Sequence, residues 1–145
     1  MAEVHLVVGV ALIGLNLLAG VWGGVAWIRQ HPSIAFWYIL RAAQVAVLAQ
    51  VALGALLVFT GHKPDDNLHY LYGFLPLPVS LLAEAARVGA AQQELGETDF
   101  ESLPADEQRT IALAIVRRET GIMAVSVLVV FLLALRAAGT SGHLF

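Results

Sequence analysis

Four long apolar runs fill most of this sequence, and no other feature constrains its fold as strongly. They are Val4–Ile28, Ile34–Thr60, Leu68–Val88 and Thr110–Arg136. A helix needs about 20 mostly apolar residues to cross a bilayer, and each run is long enough. The 145 residues are 59% hydrophobic and only 13% charged, roughly half the charge of a soluble domain. The expected fold is all-α, an integral-membrane antiparallel four-helix bundle, because the connections Arg29–Ser33 and Gly61–Asn67 are too short for anything but neighbouring helices of opposite direction. The third connection, Gly89–Arg109, is long and acidic.

The first run is too long for the apolar core of a signal peptide, and Met1-Ala2-Glu3 has no basic segment before it, so it reads as a retained span. One four-span domain then accounts for residues 1–145. Lys and Arg set the orientation. Arg29, Arg41, Arg87, Arg109, Arg117 and Arg118 fall on one side, Lys63 and Arg136 on the other. The arginine-rich side is expected in the cytoplasm, with both termini outside, and the lipid bilayer of a prokaryotic cytoplasmic membrane is the expected surrounding. Trp22, Trp27, Trp37 and Tyr38 read as an interfacial aromatic belt. Gly20 and Gly24 offer small-xxx-small spacing for close helix approach, and Pro76 and Pro78 a kink in the third helix. Asp106 is a candidate cap for the fourth helix.

The absence of cysteine excludes disulfides, thiolate metal sites and iron–sulfur clusters. No basic, aromatic cluster suits nucleic acid. No nucleophile–base pair, phosphate loop or dinucleotide fingerprint occurs, so hydrolase or transferase chemistry has no residues to carry it.

The polar residues inside the runs are informative because they form stripes. At 100° per residue, His5, Gly9, Asn16, Gly20, Gly23 and Trp27 share one face of the first helix. His69, Tyr72, Gly73, Pro76, Ser80, Glu84 and Arg87 share one face of the third. Ionisable groups avoid lipid tails, so both faces should point inward. Matching depths at about 1.5 Å per residue sets Asn16 opposite Gln50 and predicts a hydrogen bond between them. Nearer the cytoplasmic edge, Arg41, Gln44, Glu84, Arg87, Arg118 and Glu119 form a candidate network, either structural ion pairs or an anion site, with Arg41 the first candidate partner for Glu84.

Two inward-facing histidines at the same depth suit axial ligation of a haem. His5 and His69 are the candidate ligands of a haem b. Gly9, Gly20 and Gly73 would make room, and Tyr72, His62 or Lys63 would meet the propionates. His62, Asp65, Asp66 and His69, joined by His5 or His143, are the weaker basis for a Zn²⁺ or Cu²⁺ site, which needs three or four converging donors. That loop reads first as solvated, with Asp66 or Asn67 capping the third helix.

The segment Gln50–His69, QVALGALLVFTGHKPDDNLH, resembles part of the haem A synthase family. There one helix carries a Q-x-x-x-G…TG-like pattern and the next opens with a haem-ligand histidine. The matching positions are Gln50, Gly54, Thr60, Gly61 and His69, and Glu3-Val4-His5 compares with the glutamate and histidine that open the preceding family helix. The resemblance covers about half the chain and implies a haem-handling bundle like one half of that fold. It does not extend to haem A synthesis: the span count is half, the Glu–His spacing is shorter, and the outer catalytic segment has no counterpart. Three functions follow as expectations: a small haem b protein for electron transfer or haem handling; an accessory or assembly subunit of a larger respiratory-type membrane complex; and a small transporter or channel acting as a homo-oligomer.

Overall fold

A computed structural model describes residues 1–62, 66–97 and 99–140. Lys63, Asp65 and His143 lie outside the described residues. Among the described residues the chain is helical throughout: α1 (Ala2–Ile28), α2 (Ile34–Phe59), α3 (Leu68–Phe74), α4 (Pro76–Leu95) and α5 (Ala105–Gly139), with a short 3-10 turn at Phe100–Ser102. Helices α3 and α4 follow each other as one span, Leu68–Leu95, which gives four helices long and apolar enough to cross a membrane.

The ends of these helices follow from local chemistry. At the end of α1 the His31 amide donates to the Ala26 carbonyl and the Gln30 amide to that of Trp27. These two bonds close a Schellman turn, which needs a left-handed residue. Gln30 takes that role at φ 57°, whereas the same turn after α2 uses Gly61 at φ 87°. Ser33 caps α2, its Oγ accepting from the Phe36 amide at 3.3 Å and from Trp22 Nε1 at 2.9 Å. Asp66, not Asn67, supplies the side-chain cap of α3, taking the Leu68 amide at 2.9 Å. Neither Pro76 nor Pro78 has an N–H for the carbonyl four residues back. Leu75 nevertheless keeps helical angles (φ −53°, ψ −33°), so the prolines loosen the span without ending it.

Two boundaries differ from the sequence reading by a helical turn or more. Helix α4 continues past Val88 to Leu95, because Arg118 reaches across from α5 to Glu94 (3.0 Å) and Gln93 (2.8 Å). Helix α5 begins at Ala105 rather than Thr110. Pro104 is its N-cap, and Asp106 and Glu107 lie in its first turn, where carboxylates oppose the helix dipole favourably. At 35 residues it is about 52 Å long, well beyond the ~30 Å hydrocarbon core of a bilayer.

Packing is organised around glycine. Leu128 seats on Gly20, Phe36 on Gly23 and Trp27 on Gly121, with no room for a Cβ at any of the three. Gly24 faces open space, so the close approach uses Gly20 and Gly23 rather than a Gly20/Gly24 pair. One core cluster joins Ala19, Phe36, Leu40, Ala83, Met123, Ala124 and Val127; a second joins Leu12, Val47 and Val130. Trp37 packs on the first cluster and against Phe36. It therefore departs from the expected belt, while Trp22, Trp27 and Tyr38 remain exposed. The outer faces are as apolar as the core: Val7, Val45, Leu82 and Leu132 are all more than half exposed. Helices apolar all round belong in lipid or in a much larger core.

Candidate functional site

The contacts between α1 and α2 run in reverse order, Gly23 with Phe36, Gly9 with Gln50 and His5 with Gly54. This register decides the polar site. Asn16 lies seven residues further along α1 than Gly9, about 10 Å, and does not meet Gln50. It is buried, and its Nδ2 donates instead to the Leu12 carbonyl within its own helix at 2.9 Å. The expected Asn16–Gln50 bond is replaced by one between Gln50 and His5, with Gln50 Nε2 3.1 Å from His5 Nε2.

His5 also meets His69. Their ring centroids are 6.2 Å apart and their planes are inclined by 60°. The site is assembled by glycines on two helices. A Cβ on Gly54 would stand 3.3 Å from His5 Cε1, and one on Gly9 would stand 3.0 Å from Gln50 Nε2. Helix α5 completes it: His69 Nδ1 lies 3.0 Å from the Ala137 carbonyl oxygen, and the Arg136 guanidinium stands over the Tyr72 ring at 5.7 Å. Gly73 faces open space.

The hydrogen bonds fix the proton positions. A carbonyl only accepts, so His69 carries its proton on Nδ1 and presents the Nε2 lone pair. With the Gln50 amide donating, His5 carries its proton on Nδ1. That buried nitrogen has no partner among the described residues, and neither does Gln50 Oε1. Buried polar atoms without partners are rare and costly. Two imidazoles bonded to one ion at about 2 Å each stand at a separation like that of His5 and His69. The Ala137 carbonyl gives His69 the outer hydrogen bond that orients metal-bound histidines. Ligation by His5 requires Gln50 to release Nε2, or the Gln50 amide to turn so that its oxygen accepts from a protonated Nε2 and Nδ1 is left with the lone pair. Arg136, next to Ala137 in α5 and over the Tyr72 ring, would suit a propionate.

Near the turn between α2 and α3, His62 is exposed beside Thr60 Oγ1 (3.3 Å) and Asp66 is engaged as the α3 cap. Among the described residues no three His, Asp or Glu side chains converge as metal donors.

The second cluster lies about 13 Å along α2 from Gln50. Glu84 takes Arg41 at 2.5 Å and Gln44 Nε2 at 2.7 Å on one oxygen, and Arg87 at 2.9 Å on the other. Arg87 continues to Glu119 at 3.4 Å and stands over Trp37 at 5.6 Å. Two guanidinium groups thus face two carboxylates, and the charges cancel. Arg41 is the partner expected for Glu84, whereas Arg118 is drawn away to Glu94.

The sequence reading placed His5, His69 and Gly9 but missed three participants. Gln50 was assigned to Asn16, Gly54 was placed on the Gln50 face that should meet the first or third helix but was not matched to His5, and Arg136 was used only for orientation. No protein-family model, curated protein or solved structure matches the chain.

Proposed function

We propose that this is an integral membrane protein that holds a haem b between His5 and His69, for electron transfer or haem handling. The observation that carries the reading is the pairing of two histidines from separate apolar helices, His69 with its Nε2 turned away from the Ala137 bond and His5 with a buried Nδ1 that has no partner among the described residues. The Gln50–His69 resemblance points the same way. The reading includes an antiparallel bundle in a prokaryotic cytoplasmic membrane, with the arginine-rich ends inside and both termini outside. It is supported by the reverse order of the α1–α2 contacts and by the arginine distribution. When bound, haem supplies a one-electron couple. The protein's part is to ligate the iron, to hold His69 in one tautomer through Ala137, and to neutralise a propionate with Arg136.

The test is an absorbance spectrum of detergent-purified protein, oxidised and then dithionite-reduced, after expression with ample haem. A Soret peak with sharp reduced α and β bands is expected. A featureless spectrum overturns the haem reading and favours the accessory-subunit alternative, which predicts co-purification with larger membrane subunits.

A further inference from the structure

A cleft of about 340 Å³ with mixed polar and apolar walls opens where the α1–α2 turn meets the first half of α5. Its polar lining includes Gln30, His31, Thr110, Arg117 and Thr120, and Trp27 also lines it. Trp27 also borders a second, mainly apolar groove of about 450 Å³ that runs along α5 past Gly121, Ile122 and Val125, with the Glu94-paired Arg118 at its lining. The two therefore adjoin at one side chain. The cleft lies beside the part of α5 that extends toward Ala105, and the groove lies beside its apolar part.

Arg117 differs from its neighbours. Arg41, Arg87 and Arg118 are all ion-paired, whereas Arg117 has no ion-pair partner among the described residues. Trp27 is fixed at the junction because its indole fills the space over Gly121. The Gln30 backbone holds the left-handed conformation (φ 57°) that turns His31 and Pro32 toward the cleft wall.

We infer that this paired cleft and groove is a binding site for one anionic phospholipid, with its phosphate at Arg117 and His31 and an acyl chain along Gly121–Val125. A cation beside a polar pocket answers a phosphate, and a continuous apolar groove answers a hydrocarbon chain. A free phosphate would leave the groove unused. The inference rests on the membrane reading above, but not on haem.

The test is lipid quenching of tryptophan fluorescence for the full chain in bilayers of phosphatidylcholine. Brominated phosphatidylglycerol or brominated phosphatidylcholine is titrated in, and the Trp27 contribution is isolated by subtracting the Trp27→Phe variant. The anionic lipid is expected to quench Trp27 at a severalfold lower mole fraction than the zwitterionic one. Arg117→Gln removes that preference, while Arg109→Gln, on the same helix but outside the cleft lining, preserves it. Circular dichroism confirms that each variant retains its helices. Equal quenching by the two lipids overturns the site, as does equal loss of preference in both variants. Relief of quenching by inorganic phosphate also overturns it, in favour of a free-anion site. Absence of quenching by either lipid instead removes the membrane reading beneath it.

Discussion

His69 Nδ1 rests 3.0 Å from the carbonyl oxygen of Ala137, and this bond fixes which face of the imidazole is available to a ligand. The carbonyl belongs to the last turns of α5, far from α3 in sequence. The last helix therefore orients a side chain at the start of the third span.

That relationship separates the roles of the two histidines. On the haem reading, His69→Ala is expected to abolish haem absorbance, since it removes the Nε2 lone pair that the Ala137 bond orients and that no described residue occupies. Gln50→Leu is expected to retain haem, because it removes a competitor for His5 Nε2 and no ligand. Reduced-minus-oxidised spectra of the two variants check this. Loss of the bands in Gln50→Leu, with helicity unchanged, would mean that Gln50 positions the ligand.

Gly23 and Gly24 are neighbours with opposite surroundings. A methyl group at Gly23 would collide with the Phe36 ring, whereas one at Gly24 meets nothing within 4 Å. Gly23→Ala should cost about 1–3 kcal/mol through overpacking. Gly24→Ala should be neutral or slightly stabilising, by the helix propensity of alanine. Thermal unfolding in detergent distinguishes them, and equal midpoints would contradict the seating of Phe36 on α1.

The Glu84 network should behave as a unit. Glu84→Gln keeps the shape but leaves Arg41 and Arg87 without their shared carboxylate. A double-mutant cycle between Glu84→Gln and Arg87→Gln is expected to give a coupling of roughly 1 kcal/mol, near the upper end for partly exposed pairs. Additive effects would show that the two groups do not interact in the protein.

The two Schellman turns predict opposite responses to the same kind of change. Gln30 pays for a left-handed backbone that glycine adopts freely, so Gln30→Gly should stabilise by about 1 kcal/mol. Gly61→Ala should destabilise by a similar amount. Unfolding midpoints of the two variants against the unchanged protein test both signs.

The sequence alone determined the four helical spans. Run length and composition are local quantities, and a stretch such as Val4–Ile28 satisfies its own backbone wherever it lies. It also determined that His5, His69 and Glu84 share inner stripes, because the 3.6-residue period is local. Polar, Ala-rich ends were harder to read: residues 89–95 and 105–109 are helical because of pairings such as Arg118 with Glu94, not because of hydropathy. Only the tertiary structure decided the register between helices. Equal depths counted from the helix ends set Asn16 against Gln50, but the packing of Phe36 on Gly23 slides α2 along α1 and brings Gln50 to Gly9 and His5. Such a fit depends on the shapes of side chains far apart in the chain, and no periodicity within either helix carries that information.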